Sequence, residues 1–480
     1  MTTYRQEPSR LSSDAPSTGV GWAVPGERGR TVTDWWRVGA VSAVWMTSLF
    51  VVALWVGGGA VEDLLRWNAD TIDTLGRITG LVAANLLLYQ VLLMARIPLF
   101  ERGFGRDGMT RMHRLVGFWS FWLMLAHIVL ITIGYAAESG TNLVVQAWQF
   151  VWDYPGMLLA TAGTALLILV VVTSMRRARR RIRYESWHLL HLYAYLGVGF
   201  SIPHMLWTGA DFLSSAPATV YWWTLWALAA GSVVVYRVVV PVVRSMRHSL
   251  RVASVERDGD RGVLVRMQGR GLSRLRAESG QFFVWRFLDG PGWMRGHPFS
   301  LTAAPSGDEL AISARVLGDG TRRLAGMRPG TRVVFEGPFG RLTGRDRQGR
   351  KLIMLGAGAG VAPLVSLLES EPYAPGEATL VVRDRAPGDG LRGEAIGELV
   401  RGRGLRYARL DGRRSRGASV WLPESHADWP GAELIRYLAP DLEEYDAYVC
   451  GPEPWMRSVT HDLRAAGMPV ARIHTERFSV

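Results

Sequence analysis

The chain has 480 residues, a formal charge of +13, 48% apolar residues and a mean hydropathy of +0.09. That average excludes both an ordinary soluble protein and a pure membrane bundle, and fits a chain with a part of each kind. The one cysteine, Cys450, excludes a disulfide framework or a cysteine-ligated cluster within one chain, and Lys351 is the only lysine, so nearly all the positive charge is arginine.

Residues 1–34 are polar, with Pro, Gly, Ser and Thr and no apolar core. They do not read as a cleavable signal peptide and are expected to form a disordered cytosolic tail. Long apolar blocks follow: Val38–Val61, Ile78–Ala95, Leu115–Ala137, Tyr154–Met175, Ser186–Ala210 and Phe212–Tyr236. Each reaches the ~18 residues that a helix needs to cross the hydrocarbon layer. Six spans put both chain ends on one side. The shorter apolar stretch Ser139–Trp152 reads as an interfacial segment. Five arginines (Arg96, Arg102, Arg106, Arg111, Arg114) stand between the second and third spans, and six between Arg176 and Arg183 precede the fifth. The opposite loops carry Glu62, Asp63, Asp70, Asp73, Glu138, Asp153 and Asp211, with Arg66 and Arg77. Positive loops stay cytosolic, so the reading is a cell-membrane protein with cytosolic termini, in contact with membrane lipid. The arginine runs then mean topology and lipid contact, not nucleic acid.

The third span carries His113 and His127; the fifth carries His188, His191 and His204. Ionisable groups inside a span are costly and face the bundle interior or a functional path. His113 and His127 are 14 residues apart, about 21 Å along a helix and roughly 40° around it, so they share a face. His191 and His204 are 13 apart, about 19–20 Å in rise but nearly opposite in phase on an ideal helix. Pro203 must disturb that helix, so phase does not choose between His188 and His191, whereas rise prefers His191. Two stacked b haems in a helical bundle need two facing imidazoles for each iron.

With Tyr184-Glu185 ahead of His191, this six-helix block resembles the ferric reductase and NADPH oxidase superfamily. The resemblance implies that His113 and His191 ligate an inner haem and that His127 and His204 ligate an outer one. His188 keeps an open role, as an interfacial residue or a propionate neighbour. Arg77, at the outer start of the second span, is either an interfacial arginine snorkelling to headgroups or a partner of the outer haem, as the resemblance implies. Where the oxidases carry a histidine one turn after the outer ligand, this chain has Ile131, a departure that tilts the reading from oxygen reduction toward a ferric reductase.

After Pro241 short strand-like segments (Val263–Met267, Gln281–Trp285, Thr331–Phe335) suggest a small antiparallel barrel. From about Arg350 the pattern turns α/β, with a buried strand Lys351–Leu355 and the turn Gly356-Ala357-Gly358-Ala359-Gly360-Val361-Ala362-Pro363. Glycines there admit a phosphate to the backbone, and a helix start supplies free N–H donors. His297-Pro298-Phe299-Ser300, followed by Leu301, resembles the flavin box of the ferredoxin–NADP reductase superfamily. Arg315 with Gly318 and Thr321 resembles the flavin pyrophosphate segment, and Glu336-Gly337-Pro338-Phe339-Gly340 the end of the flavin barrel. Val449-Cys450-Gly451-Pro452 resembles the segment that puts a cysteine near the nicotinamide, and Glu476-Arg477-Phe478 the terminus whose aromatic ring covers the flavin. As a small core residue Cys450 has an ordinary alternative. Arg383 follows the second strand, where a guanidinium can grip a 2′-phosphate; this favours NADPH over NADH, with Arg413, Arg414 and Arg416 as alternatives.

The expected architecture is multidomain. A tail (1–34) precedes a six-helix transmembrane haem bundle (35–243), an antiparallel FAD-binding β-barrel (244–345) and a Rossmann-like α/β NAD(P)H domain (346–480). The expected function is a transmembrane NAD(P)H oxidoreductase. It would pass electrons through FAD and two b haems to a small acceptor outside the cytosol, a ferric chelate or O2. The alternative is an electron conduit feeding a quinone or an extracytoplasmic redox protein. The sequence assigns no oligomeric state.

Overall fold

The computed structural model describes residues 27–477, apart from 67–68, 183, 214, 291–292 and 418. Residues 1–26 of the expected tail lie outside the described residues. From Glu27 the chain is already helical, as Glu27–Trp55. A helix nucleated by an apolar span extends into a polar flank at little cost per residue, so the span starts earlier than the polar composition suggests.

Six helices are long and apolar enough to cross a membrane: Trp35–Arg66, Asp70–Met94, Gly108–Ser139, Met157–Ser174, Ser186–Trp207 and Ala216–His248. The chain is a multi-pass membrane protein. Large apolar side chains on these helices face outward, among them Leu49, Leu115, Leu189 and Val220. In a lipid solvent that placement is favourable, and the helix satisfies its own backbone polar groups. The interior is built instead from close approaches of small residues. A Cβ on Gly163 would lie 2.7 Å from the carbonyl oxygen of Gly197, so the fourth and fifth spans touch backbone to backbone there. Between the second and third spans the chain bends at Gly105 (φ 67°) before the third span proper begins. The stretch read as interfacial forms the helix Leu143–Asp153, capped by Asn142, whose side chain accepts from the Val145 N–H at 2.9 Å.

The sixth span does not end near Tyr236. A wide turn at Val235–Val239 leads into the helix Val240–His248, so the boundary expected at 243/244 falls inside a continuous helix. Pro241 sits in the first turn of that last segment, where its missing N–H costs nothing. The helix thus carries the chain straight onto the next region.

That region is a ring of six antiparallel strands: β1 (Arg251–Arg257), β2 (Gly262–Gln268), β3 (Phe282–Phe287), β4 (His297–Ser300), β5 (Glu309–Arg315) and β6 (Val333–Phe339). They form two three-stranded sheets, β1-β2-β5 and β4-β3-β6. Bridges at Leu301/Ile312 and Arg251/Arg332 join the sheet edges. Both sheets turn Val265, Phe283, Trp285, Ile312 and Phe335 into one core. Five parallel strands follow, in the order β11-β10-β7-β8-β9, where β7 is Lys351–Ala357, β8 Ala378–Asp384, β9 Arg406–Asp411, β10 Tyr445–Gly451 and β11 Ile473–Arg477. The near-continuous burial of the inner strands β7, β8 and β10 matches a sheet covered on both faces by helices.

The membrane and barrel regions meet at Glu336, whose side chain is 7% exposed. It pairs with Arg96, just past the second span, and with Arg286 on β3. Nearby, Arg244 donates to the Gly337 carbonyl at 2.6 Å, and the Phe335 N–H donates to Ser245 Oγ at 3.1 Å. Removing one partner from a buried pair leaves charge uncompensated, at a cost of about 3–5 kcal/mol. Glu336→Ala is therefore expected to loosen this seam. Limited proteolysis in detergent should cut the variant near residues 244–250 at protease levels that spare the wild type; equal resistance would contradict the assignment.

Candidate electron-transfer site

The five candidate histidines all line one cavity of about 1590 Å³ inside the membrane region. His113 and His191 face each other with ring centres 6.1 Å apart, and His127 and His204 with centres 6.4 Å apart. Two imidazoles on one metal atom stand about 6 Å apart, from a nitrogen–metal bond of about 2 Å on each side plus about 1 Å to each ring centre. Both pairs match that spacing. Among the described residues no group of three or more His, Cys, Asp and Glu side chains converges as a protein-only metal site. The pairs therefore suit a prosthetic group that brings its own remaining donors. His188 lines the same cavity but does not form a facing ring pair with His113; His191 does.

Neighbours set the orientation of three of the four paired rings; His113 Nδ1 is buried without a hydrogen bond among the described residues. His127 Nδ1 lies 2.8 Å from the Gly76 carbonyl, so Nδ1 carries the proton and Nε2 is left to face the cavity. The Thr208 hydroxyl donates to the His204 carbonyl at 2.8 Å and stands 2.6 Å from His204 Nδ1. Its one proton is used on the carbonyl, so it accepts from Nδ1–H, and Nε2 is again free of a proton. His191 lies 3.2 Å from Ser174 Oγ, which also accepts from Trp187 Nε1 at 3.3 Å, while the Trp187 ring packs on the imidazole at 5.0 Å. Gly80 makes room for His127: a Cβ there would lie 2.5 Å from Nδ1. Sequence reasoning missed Gly76, Gly80 and Ser174, which act across helices. Thr208, one turn after His204, was legible as an i, i+4 neighbour.

At the far end of the cavity Arg77 makes a two-pronged pair with Asp211, through Nε at 2.7 Å and through a second close contact of its other nitrogen. The arginine is thus held in the bundle rather than snorkelling outward. Ile131 packs against Gly76, where a Cβ would meet its side chain at 2.8 Å. It occupies the space beside the carbonyl that orients His127.

In the barrel, Ser300 ends β4 opposite Phe282. Its hydroxyl is buried and has no hydrogen bond among the described residues, which suits a ligand acceptor or donor at that point. His297 and Phe299 stack with ring centres 6.2 Å apart, and Pro298 between them is exposed. Burial, then Arg323 and Arg295, push the His297 imidazole below its usual range. Gly320 lies against that ring. Thr321 ties the Gly318 turn, accepting from the N–H groups of Leu317 and Gly318 at 3.0 and 3.1 Å. Leu301, expected at the cofactor, is fully buried in the barrel core.

Arg315 ends β5 and pairs with Asp384 at the end of β8 while donating to the Asp389 carbonyl at 2.6 Å. It also lies near Gly358, between barrel and parallel sheet. Burial raises the Asp384 carboxyl against the opposing pull of Arg315. Arg383, expected at a 2′-phosphate, donates instead to the carbonyls of Leu410 (3.1 Å), Gly412 (2.8 Å) and Arg413 (3.2 Å). With the Asp384 carbonyl as well, its own chain offers four acceptors within reach, a feature that strand position alone does not reveal.

Cys450 is paired in register with Gly356 on one side and Glu476 on the other. The three residues form a row across the carboxyl ends of β7, β10 and β11. The chain runs outward through β8 and β9 on one side of β7 and through β10 and β11 on the other, so this row sits at the switch point, where open α/β sheets take their ligands. The glycines of the turn differ in use. Gly360 packs on the Cys450 carbonyl, 2.1 Å from where a Cβ would stand, and Gly356 packs on Val361 and Leu364. Gly358 alone of the three has a left-handed backbone, φ 59°. Gly451 packs on Ala357 and Trp455, and Pro452 opens the helix Glu453–Ala465. The Glu476 carboxylate accepts from the Arg341 N–H at 3.1 Å. Phe478 lies outside the described residues.

Residues 79–202 match the model of the ferric reductase like transmembrane component. That match covers the second to fifth spans, which carry the facing histidines. The chain is also similar to curated reductase components. Over 128 residues it is 31% identical to the ferredoxin reductase component of a 3-ketosteroid-9-alpha-monooxygenase from Rhodococcus rhodochrous, covering 26% of this chain and 34% of the relative. Over 209 residues it is 29% identical to a probable dihydroorotate dehydrogenase B (NAD(+)) electron transfer subunit from Methanothermobacter thermautotrophicus, covering 43% of this chain and 69% of the relative. A ferredoxin NADP+ reductase structure from Neisseria gonorrhoeae with bound FAD and NADP aligns at TM-score 0.39 and 17% identity, over 48% of this chain and 98% of that one. The chain thus spans between a third and about two thirds of these two curated relatives.

Burial, and then the Glu476 charge, push the Cys450 thiol well up. A raised thiol pKa keeps the unreactive neutral form present to higher pH. Iodoacetamide at pH 8 should leave the native protein unlabelled and label it fully once unfolded; rapid native labelling would contradict this burial.

Proposed function

We propose that this protein is a membrane NAD(P)H oxidoreductase that moves electrons through FAD and two b haems to an acceptor on the face opposite the reductase region. The observation that carries the proposal is the pair of facing imidazole sets, 6.1 and 6.4 Å between ring centres, in one cavity of the bundle. His113 and His191 would hold the iron nearer the reductase region, and His127 and His204 the iron beyond it. Arg77, fixed by Asp211 at that far end, supplies positive charge beside the outer pair. Imidazoles on both sides of each iron leave no position for an acceptor, which must approach the macrocycle edge.

In the reductase region the unbonded Ser300 hydroxyl would meet the flavin ring edge. The Gly318–Thr321 turn and the Gly358 turn would receive phosphates. Bound FAD would supply the conversion between a two-electron hydride and the single electrons that haem iron takes. Cys450 and Glu476 border the nicotinamide position at the switch point. The donor is either NADH or NADPH, since Arg383 is turned to its own loop. A ferric chelate is the favoured acceptor over O2, since Ile131 packs beside the outer pair in place of a polar side chain. The reductase region and both termini are assigned to the cytosolic side of the cell membrane on the arginine distribution.

Adding NADPH and FAD to purified protein under argon should produce a reduced b-haem spectrum; its absence would refute the proposal. Two acceptor assays, Fe(II) formation from ferric citrate and superoxide release, then separate the acceptors.

His191→Leu should halve the haem content and His188→Leu should leave it unchanged; the reverse would move the ligand to His188. Gly80→Leu forces at least one side-chain atom into the His127 ring, so it should also lower haem content toward one per chain while sparing NADPH–ferricyanide activity.

A further inference from the structure

A second cavity, of about 750 Å³, lies between the membrane region and the barrel. Its walls come from the segment after the second span, from the sixth-span helix, and from the barrel segments ending at Gln281 and Arg341. Seven arginines line it against three glutamates, Glu101, Glu336 and Glu476, an excess of four positive charges. Much of this charge is already engaged. Glu336 pairs with Arg96, Arg341 with Asp346 at 3.1 Å, and Arg345 with Glu278, while Arg244 donates to the Gly337 carbonyl. Arg111, Arg274 and Arg276 are different. They are exposed, and no hydrogen bond or ion pair engages their guanidinium groups among the described residues.

These three come from both sides of the seam: Arg111 from the third span, Arg274 and Arg276 from the turn after β2. The cavity adjoins the proposed reductase site, since Glu476 and the segment Glu336–Gly340 line it, but Arg315 and the turns proposed to receive the flavin and nucleotide phosphates, at Gly318–Thr321 and Gly358, do not, so those phosphates do not account for its positive charge. The cavity lies at the membrane edge, because Arg96 directly follows the span ending at Met94 and Arg244 belongs to the helix that leaves the membrane. Phosphate headgroups stand at that depth and are the common partners of basic clusters there. A guanidinium fork matches phosphate oxygens with two parallel hydrogen bonds, and the volume is within the range of small-ligand sites.

We propose that this cavity binds a phosphate-bearing anion, the headgroup of an anionic phospholipid or a soluble phosphate of the same chemistry. Arg111 holds it from the membrane side, and Arg274 and Arg276 from the barrel side. The bound phosphate ties the reductase region to the membrane surface. The inference goes beyond the proposed electron-transfer function and does not require it.

The test uses the full chain in nanodiscs of phosphatidylcholine, with or without phosphatidylglycerol, and counts retained lipid by native mass spectrometry. The wild type should retain phosphatidylglycerol over phosphatidylcholine by tenfold or more, on the order expected for two or three arginines near a headgroup. The double variant Arg274→Gln/Arg276→Gln and, separately, Arg111→Gln should each lose most of that preference, with thermal unfolding unchanged. Inorganic phosphate is added in a parallel arm. If it occupies the wild type but not the variants and no lipid preference exists, the site stands and its ligand is soluble. Equal lipid retention in wild type and both variants, with no phosphate binding, overturns the proposal.

Discussion

Everything in the membrane region depends on keeping four imidazoles in two facing pairs inside an apolar bundle. A polar ring in that setting must have its nitrogens satisfied or it destabilises the helix that carries it. One nitrogen of His127 is bonded to Gly76 and one of His204 to Thr208, while His191 leans on Ser174. These three rings are held from behind, while His113 Nδ1 is buried without a hydrogen bond among the described residues. The helix packing serves the same end, since Gly80 lets the second span approach the His127 ring and Gly156 lets the fourth approach the backbone at His204.

The same logic governs the contact between regions. The helix leaving the membrane is continuous into the barrel seam, so the reductase region is not hung on a flexible linker. Glu336 is buried between arginines of two regions, and a buried carboxylate with two guanidinium partners specifies one docking geometry more sharply than an apolar patch would. Further along, Arg315 and Asp384 do the equivalent for barrel and parallel sheet. Each junction in the molecule is therefore marked by an arginine–carboxylate pair drawn from residues far apart in sequence.

The switch point of the parallel sheet gathers residues that the chain keeps far apart. Gly356, Cys450 and Glu476 are distant in the chain, yet strand register puts them in one row. Two glycines of the turn serve backbone packing against Cys450 and against the helix that starts at Val361, and only Gly358 combines a left-handed backbone with a face turned to Arg315. A glycine run thus mixes positions of different backbone geometry and packing that look alike as letters.

Read alone, the sequence determined the six apolar spans, the change to a barrel pattern after the last span and to an α/β pattern beyond it, and the presence of spaced histidines within the spans. These depend on local composition and spacing, which a helix or strand translates directly into position. Helical phase did not choose between His188 and His191, because Pro203 spoils the count on the fifth span, and rise alone favoured His191; the folded chain sets His191 opposite His113. Nor could the sequence foresee that Arg383 would turn to the carbonyls of its own loop, that Arg77 would pair with Asp211 more than a hundred residues away, or that the last span would run on past Pro241. Those outcomes are set by which groups come within hydrogen-bonding reach after folding, a property of the assembled chain and not of any segment of it.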